Sequence, residues 1–205
     1  MLGLILAGGG ARGAYEAGVL RFVFTTLAKR YGIDPNPDLI SGTSVGALNG
    51  AWVGARGAAG ASQLWEFWQQ VTIDQVYHFS ASDFLRWPGK WLDRTTDLGE
   101  GVGLFDPTPL YNLIRLSVPW RALHERIDRG ELRAFMVSAT DVGSGRTRIF
   151  TDGNVPLRRA ATSTATATRI GPEHCLASAA IPFVFPGIRI EGRYFVDGAL
   201  RQNTP

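Results

Sequence analysis

The chain has 205 residues, of which 45% are hydrophobic and 19% charged, and its formal net charge is +3. This length and balance fit a single globular domain and exclude a disordered chain. So small a net charge gives no reason to expect a nucleic-acid partner, the lone cysteine excludes an intrachain disulfide, and no apolar run is long enough to span a bilayer.

The first fifty residues alternate strand and helix patterns. An apolar run at 2–7 predicts a buried strand and, being short and without basic residues, is not interpreted as a signal peptide, so a cytoplasmic protein is expected. Helical spacing follows at 14–31, a second strand at 39–41 and a second helix at 45–55. This alternation predicts an α/β fold with a parallel sheet and covering helices.

The rest of the chain adds helices and two hairpins. The patterns predict a helix at 107–116 and strands at 132–140, 147–150, 188–190 and 194–196. The small-residue segment at 160–168 carries no pattern that predicts a helix or a strand.

Aromatic residues are concentrated at 62–95. Their helical spacing is interpreted as packing over the sheet, with a lid or a lipid-contacting surface as the alternative. Arg158 and Arg159 are interpreted as a solvated surface, with attraction to anionic lipid head groups as the alternative.

Ser44 lies at a predicted strand-to-helix corner, in the sequence GTSVG. Gly42 and Gly46 leave room for the cramped backbone that would expose the serine hydroxyl. The helix N-terminus after Ser44 would stabilise a developing negative charge. Ser44 is therefore a candidate nucleophile, and a serine that merely caps the helix is the alternative.

A glycine-rich loop, GGGARG, connects the first strand to the first helix. Backbone N–H groups that no side chain covers can bind an anion at a helix N-terminus. The anion could be a phosphate or the oxyanion of a tetrahedral acyl intermediate. The loop lacks the lysine of a P-loop and the spacing of a dinucleotide-binding turn. A tight turn without a ligand remains the third interpretation.

Asp197 ends the last predicted strand and is followed by Gly198. A carboxylate there can reach across the carboxyl edge of a sheet and accept a proton from a serine nucleophile. The alternative is an ordinary turn aspartate, since Asp-Gly is a frequent turn sequence.

The three histidines offer a different general base. His174 could complete a set with Ser44 and Asp141 in the chain order of an α/β-hydrolase, although that fold places more strands before its nucleophile. His78 and His124 are interpreted as surface or packing residues.

Three segments, taken together and in this order, resemble the patatin-like phospholipase family: LILAGGGARGAYEAGVL, DLISGTSVGALNG and LASAAIPFVFPGIRIEGRYFVDGALRQNTP. The resemblance implies a three-layer α/β/α sandwich with a mainly parallel central sheet. It also implies a Ser-Asp dyad in which Ser44 is the nucleophile and Asp197 the base. The resemblance places the oxyanion hole in this loop, with the backbone N–H groups of Gly8 to Gly10 as donors and Arg12 beside them. The residues assigned to the hole are Gly8, Gly9, Gly10, Ala11, Arg12 and Gly13.

The resemblance further implies a lipid acyl hydrolase of the phospholipase A or lysophospholipase kind, acting through an acyl-enzyme without metal or cofactor. Its partner would be a lipid or ester substrate, with peripheral membrane contact as a further expectation and the oligomeric state left open. Two alternatives are a catalytically silent lipid-binding or scaffold protein and a phosphate- or nucleotide-binding α/β protein. Residues 1–205 are expected to form one domain, shortened at its C-terminus, because relatives usually continue further past the Asp-Gly sequence.

Overall fold

The computed structural model describes residues 1–76, 99–100, 103–156 and 162–205, without the side chains of 74, 99 and 100. The interpretations made above for His78, Arg158, Arg159 and the aromatic segment beyond residue 76 therefore lie outside the described residues.

Eight strands are described, and all belong to one sheet. They are β1 (Gly3–Leu6), β2 (Leu39–Thr43), β3 (Gly99–Glu100), β4 (Ala134–Asp141), β5 (Thr147–Gly153), β6 (Ser163–Ala167), β7 (Gly187–Ile190) and β8 (Arg193–Asp197).

The described helices flank and connect these strands. They are α1 (Gly13–Arg21), α2 (Ala28–Tyr31), α3 (Val45–Arg56), α4 (Gly60–Gln70), α5 (Ile73–Val76), α6 (Thr108–Ser117), α7 (Trp120–Asp128) and α8 (Pro172–Ala179). A π-helical segment, Phe22–Leu27, joins α1 to α2, and short 3₁₀ turns cover Gly10–Arg12 and Gly198–Leu200.

The centre of the sheet is parallel, and antiparallel strands extend it. Strands β1, β2 and β4 run parallel in that order, β5 lies antiparallel on the far edge of β4, and β6 pairs in parallel with β5. The β7–β8 hairpin joins antiparallel to β4 through β8. The helices α3 and α8 pack directly on these strands.

Two strands meet end to end along one edge of β4, and this positions the site. β2 pairs with β4 up to Thr43 opposite Ser138, and β8 pairs with the next part of the same edge, where Asp197 lies opposite Ala139. Because β2 runs parallel to β4 and β8 antiparallel, the carboxyl ends of both strands arrive at the same point.

The core lies between the sheet and the helices. Its largest fully buried side chains include Phe135 and Ile40 on the sheet and Leu64 and Leu123 on helices. Gly50 on α3 allows this helix to approach closely, since a Cβ there would lie 3.0 Å from Ile40 Cγ2. The small residues of α3 therefore serve packing against β2, the strand that directly precedes Ser44.

The two hairpins predicted from the sequence are present, as is the helix from Pro107 onward. The segment without a prediction contains β6, whose partner strand β5 is supplied from elsewhere in the chain. None of the helices among the described residues combines the length and hydropathy that crossing a bilayer requires.

Candidate active site

Ser44 occupies a strained corner between β2 and α3. Its backbone has φ 54° and ψ −124°, which a non-glycine residue rarely adopts. A Cβ on Gly42 would lie 2.4 Å from the Gly46 carbonyl oxygen, and a Cβ on Gly46 would lie 2.4 Å from the Leu6 carbonyl oxygen. Both glycines are therefore required by close backbone approach, which is the reason for the Gly-x-Ser-x-Gly pattern.

The Ser44 hydroxyl donates a hydrogen bond to Oδ2 of Asp197 over 2.8 Å. Both side chains are buried, with 5% and 4% of their surfaces exposed. The second carboxylate oxygen of Asp197 accepts the Ala199 N–H at 2.7 Å. The main chain of Asp197 is fixed on both sides, because its N–H donates to the Ala180 carbonyl and its carbonyl accepts from the Thr140 hydroxyl.

Burial raises the pKa of Asp197 above the usual aspartate value. The hydrogen bonds from the Ala199 N–H and the Ser44 hydroxyl act in the opposite direction but do not cancel the effect of burial. Asp197 is therefore a stronger proton acceptor than an exposed aspartate. It already accepts a hydrogen bond from the hydroxyl of the candidate nucleophile, Ser44.

Gly198 permits Asp197 to lie at this position. A Cβ on Gly198 would lie 2.4 Å from the Ser138 carbonyl oxygen on β4. The glycine of the Asp-Gly pair is thus explained by close contact with the sheet rather than by a hairpin turn.

Part of the glycine-rich loop is already occupied by internal hydrogen bonds. The Gly8 N–H, one of the predicted oxyanion donors, donates to the Asn203 carbonyl over 2.9 Å, and the Arg12 N–H donates to the Gly9 carbonyl over 3.1 Å. The Gly13 N–H donates to the Gly10 carbonyl. These three amides are not free for a ligand, which narrows the donor set predicted from the sequence.

The amides of Gly9, Gly10 and Ala11 are the remaining candidates, because no acceptor within the described ranges takes their N–H groups. Gly10 has φ 55°, a conformation that favours glycine. Gly10 and Ala11 line the same cavity as Ser44, and a Cβ on Gly8 would lie 3.3 Å from the Ser44 Cβ. The loop therefore lies beside the serine.

A polar network ties this loop to the helix that follows Ser44. Asn49 on α3 donates to the Gly13 carbonyl at 3.1 Å and to Oε2 of Glu16 at 2.7 Å, and it accepts from the Trp68 indole N–H at 2.8 Å. Burial raises the pKa of Glu16. The network holds the start of α1 against α3 and so maintains the spacing between the loop and Ser44.

An apolar cavity of about 370 Å³ opens beside Ser44. Its walls come from α3, α4, α5 and α6, and from the segment that follows α8. This volume is within the range of small-molecule sites, and the apolar walls suit a hydrocarbon chain.

The alternative triad does not form. His174 Nδ1 accepts the Gly171 N–H at 3.0 Å. Asp141 forms ion pairs with Arg148 and Arg193 instead of orienting a histidine. The hydroxyl of Ser44 donates to Asp197, so His174 is not its hydrogen-bond partner.

The chain's single cysteine, Cys175, is not a competing nucleophile. Burial raises the pKa of the Cys175 thiol, which makes it a poor nucleophile. Among the described residues, no group of three or more histidine, cysteine, aspartate or glutamate side chains is arranged to hold a metal ion.

Sequence reasoning missed three buried hydroxyl groups behind the serine. The Ser178 hydroxyl accepts the Ser44 N–H at 2.7 Å and donates to the Ser138 carbonyl at 2.6 Å. The hydroxyls of Thr43 and Ser138 lie 2.6 Å apart and share a hydrogen bond. Small hydroxyl residues within apolar strands and helices have no distinctive pattern, so only the fold identifies this network.

Comparison with known proteins places this chain in a family. A family model described as patatin-like phospholipase matches residues 4–205. Among solved structures, the chain is similar to VipD from Legionella pneumophila, with a TM-score of 0.58 and 15% sequence identity. That match covers 100% of this chain and 47% of the VipD chain, so this chain spans about half the length of the solved relative. No match is found among the curated proteins.

The fold predicted from the sequence, a three-layer α/β/α sandwich with a mainly parallel central sheet, is confirmed. At 15% identity the likeness to VipD concerns the fold alone.

Proposed function

Because this chain belongs to the patatin-like phospholipase family, we propose that it hydrolyses carboxylic esters of lipids with Ser44 as nucleophile and Asp197 as general base. Family membership supports hydrolysis of lipid esters in general terms. The assignment to these two residues rests on one observation, the 2.8 Å hydrogen bond from the Ser44 hydroxyl to the buried Asp197 carboxylate.

In the acylation step, Asp197 accepts the proton of Ser44 while the serine oxygen attacks the ester carbonyl carbon. The raised pKa of Asp197 supports this role, because a carboxylate near its usual pKa would be a weak base. The tetrahedral intermediate then collapses, the alcohol leaves with the proton held by Asp197, and an acyl-enzyme forms on Ser44.

The oxyanion of the intermediate needs hydrogen-bond donors. The backbone N–H groups of Gly9, Gly10 and Ala11 are the proposed donors, since the Gly8, Arg12 and Gly13 amides are engaged within the protein. Donors fixed in a loop require little reorganisation, and removing one such donor typically costs about 10²–10³-fold in rate.

Deacylation uses the same groups in reverse order. Asp197 takes a proton from water, the resulting hydroxide attacks the acyl carbonyl, and the fatty acid leaves as Ser44 recovers its proton. The proposed cycle needs no metal or cofactor.

We also propose that the exposed apolar residues next to the site contact a membrane surface. Phe183 is 81% exposed and has φ 68°, and Leu200, in the turn after Asp197, is 57% exposed. Ile181, two positions before Phe183, lines the cavity beside Ser44. An aromatic side chain held in solvent at a strained position, near the apolar cavity, suits a lipid interface.

Vesicle co-sedimentation tests this contact. Phe183→Ser should lower binding to phosphatidylcholine vesicles, whereas Leu116→Ser, at a leucine 74% exposed on α6, should not. Equal binding by wild type and both variants would exclude Phe183 as a membrane contact.

A fluorophosphonate probe tests the proposed chemistry directly. The Ser44 oxygen should displace fluoride and become phosphonylated, and mass spectrometry should locate the adduct on the peptide that contains Ser44. Ser44→Ala should abolish labelling. If folded wild-type protein is not labelled and hydrolyses no ester, a catalytically silent lipid-binding protein or a phosphate-binding protein becomes the better explanation.

A further inference from the structure

The cavity beside Ser44 follows one face of α3. Val45, Leu48, Asn49 and Trp52 all line it, and this spacing places their side chains on one side of the helix. At a rise of 1.5 Å per residue, Trp52 lies about 12 Å along the helix axis from Ser44. The cavity thus extends from the serine at the N-terminus of α3 towards an indole two turns further on.

Trp52 is held rigidly in the protein. Its indole N–H donates to the Gly60 carbonyl at 3.1 Å, its ring centroid lies 5.0 Å from that of Phe67, and the Arg56 guanidinium lies 3.9 Å from the ring centroid on one face. Only 7% of its surface is exposed. A side chain with a hydrogen bond and two ring contacts cannot swing aside without losing them, so it forms a fixed wall.

A residue of α4 lines the cavity close to Trp52. α4 runs back along α3, so that Leu64 comes early on α4 while Trp68, which bonds to Asn49, comes later and nearer to Ser44. Leu64 lines the cavity and is 2% exposed. Trp52 and Leu64 therefore both line the part of the cavity that is distant from the serine along α3.

We infer that Trp52 ends the cavity that receives the acyl chain and so sets the longest acyl group that binds with its carbonyl at Ser44. This inference rests on the proposed function, which places the ester carbonyl at the serine. A chain longer than the cavity would have to displace the indole or leave methylenes in water. Each methylene that a pocket accepts or rejects changes specificity by about tenfold or more.

The test measures kcat/KM for p-nitrophenyl esters of saturated acyl chains of increasing length. Wild type should show a length beyond which kcat/KM falls. Trp52→Leu should move this limit to longer chains and raise the ratio of long-chain to short-chain kcat/KM by about tenfold. Trp65→Leu is the matched control, because Trp65 packs under Arg21 and does not line the cavity.

A reciprocal variant covers the case in which Trp52→Leu fails to fold. Leu48→Trp adds bulk one turn from the serine and should shift the limit to shorter chains. If the folded Trp52→Leu protein, or the folded Leu48→Trp protein, keeps the wild-type length profile, the inference is wrong.

A binding measurement separates this inference from the proposed hydrolysis. Ser44→Ala protein, with and without Trp52→Leu, is titrated with fatty acids of increasing length by calorimetry. If no ester is hydrolysed but the length limit for fatty-acid binding moves with residue 52, the hydrolase proposal fails and the inference stands. If esters are hydrolysed and neither length limit moves, the inference fails and the hydrolase proposal stands.

Discussion

The backbone N–H of Ser44 donates to the hydroxyl of Ser178, which lies 134 residues further along the chain, over 2.7 Å. The same hydroxyl donates to the Ser138 carbonyl over 2.6 Å. Ser178 thus connects the strained Ser44 corner to the central strand β4 through the end of α8. Because Ser178 is fully buried, removing its hydroxyl takes away a hydrogen-bond partner from a buried N–H.

Ser178→Ala should leave the Ser44 N–H buried without an acceptor. We expect a loss of about 1–3 kcal/mol in the free energy of unfolding. Since the hydroxyl positions the proposed nucleophile without touching substrate, kcat should fall by about 10²-fold while KM changes little. Steady-state kinetics and urea unfolding measure the two effects, with Ser144→Ala, at an exposed serine, as the control. A folded Ser178→Ala protein with wild-type kcat would contradict the positioning role.

Asp197→Asn should abolish most of the activity. An amide cannot accept the Ser44 proton, and loss of a general base typically costs about 10²–10⁴-fold in rate. The variant is well matched, because the asparagine oxygen can still accept the Ala199 N–H while its amide faces the Ser44 hydroxyl. Hydrolysis of p-nitrophenyl butyrate measures the loss, and turnover close to wild type would remove Asp197 as the base.

The same variant should be more stable than wild type at neutral pH. Burial makes the pKa of Asp197 higher in the folded protein than in the unfolded chain. The folded protein therefore gains stability from the protonated form at pH values below the unfolded-state pKa. It loses this stability as the pH rises through the folded-state pKa. An uncharged asparagine avoids that loss. Thermal unfolding should therefore show a higher Tm for Asp197→Asn at pH 7 and a smaller difference at acid pH. A lower Tm at pH 7 would mean that the ionised carboxylate stabilises the fold.

The pH dependence of kcat/KM should show the same raised pKa. Only the carboxylate form of Asp197 can accept the Ser44 proton, so activity should rise with pH through an acid limb above the ordinary aspartate value. Circular dichroism over the same pH range separates this limb from acid unfolding. A limb at the ordinary aspartate pKa in the folded enzyme would contradict the burial effect.

The sequence predicted the local features of the fold better than the distant pairings. The first strand, the helix after Ser44 and both hairpins follow from apolar periodicity and turn residues in short windows. Strand β6 was missed because its alternating Ser, Thr and Ala residues favour no structure until β5 lies beside them. The π-helical segment inside the predicted first helix was also missed, because its residues have the same apolar spacing as an α-helix.

The site shows the same division. Local sequence patterns identified Ser44 and Asp197 as candidate residues, and the family resemblance predicted that they act together as a dyad. Their catalytic roles stay predictions. That the two meet depends on β2 and β8 sharing one edge of β4, although Ser44 and Asp197 are 153 residues apart in the chain. The occupied Gly8 amide also depends on such a contact, because its acceptor is the carbonyl of Asn203.

Gly46→Ala tests whether close packing of the Ser44 corner on β1 is needed. A Cβ at residue 46 would lie 2.4 Å from the Leu6 carbonyl oxygen and 2.7 Å from that of Ala7. Backbone atoms cannot move aside as a side chain can, so we expect a loss of about 1–3 kcal/mol in unfolding free energy. Activity should also fall, because Ala7 directly precedes the glycine-rich loop.

Gly18→Ala on α1 is the control for Gly46→Ala, since among the described residues a Cβ there meets only Trp65 Cδ1, at 3.9 Å. That change should stabilise the protein by about 0.5–1 kcal/mol, because alanine is the better helix former. Urea unfolding and fluorophosphonate labelling of both variants measure the contrast. If Gly46→Ala were as stable and as readily labelled as Gly18→Ala, β1 and the Ser44 corner could separate without consequence, and the loop could not be a fixed oxyanion donor.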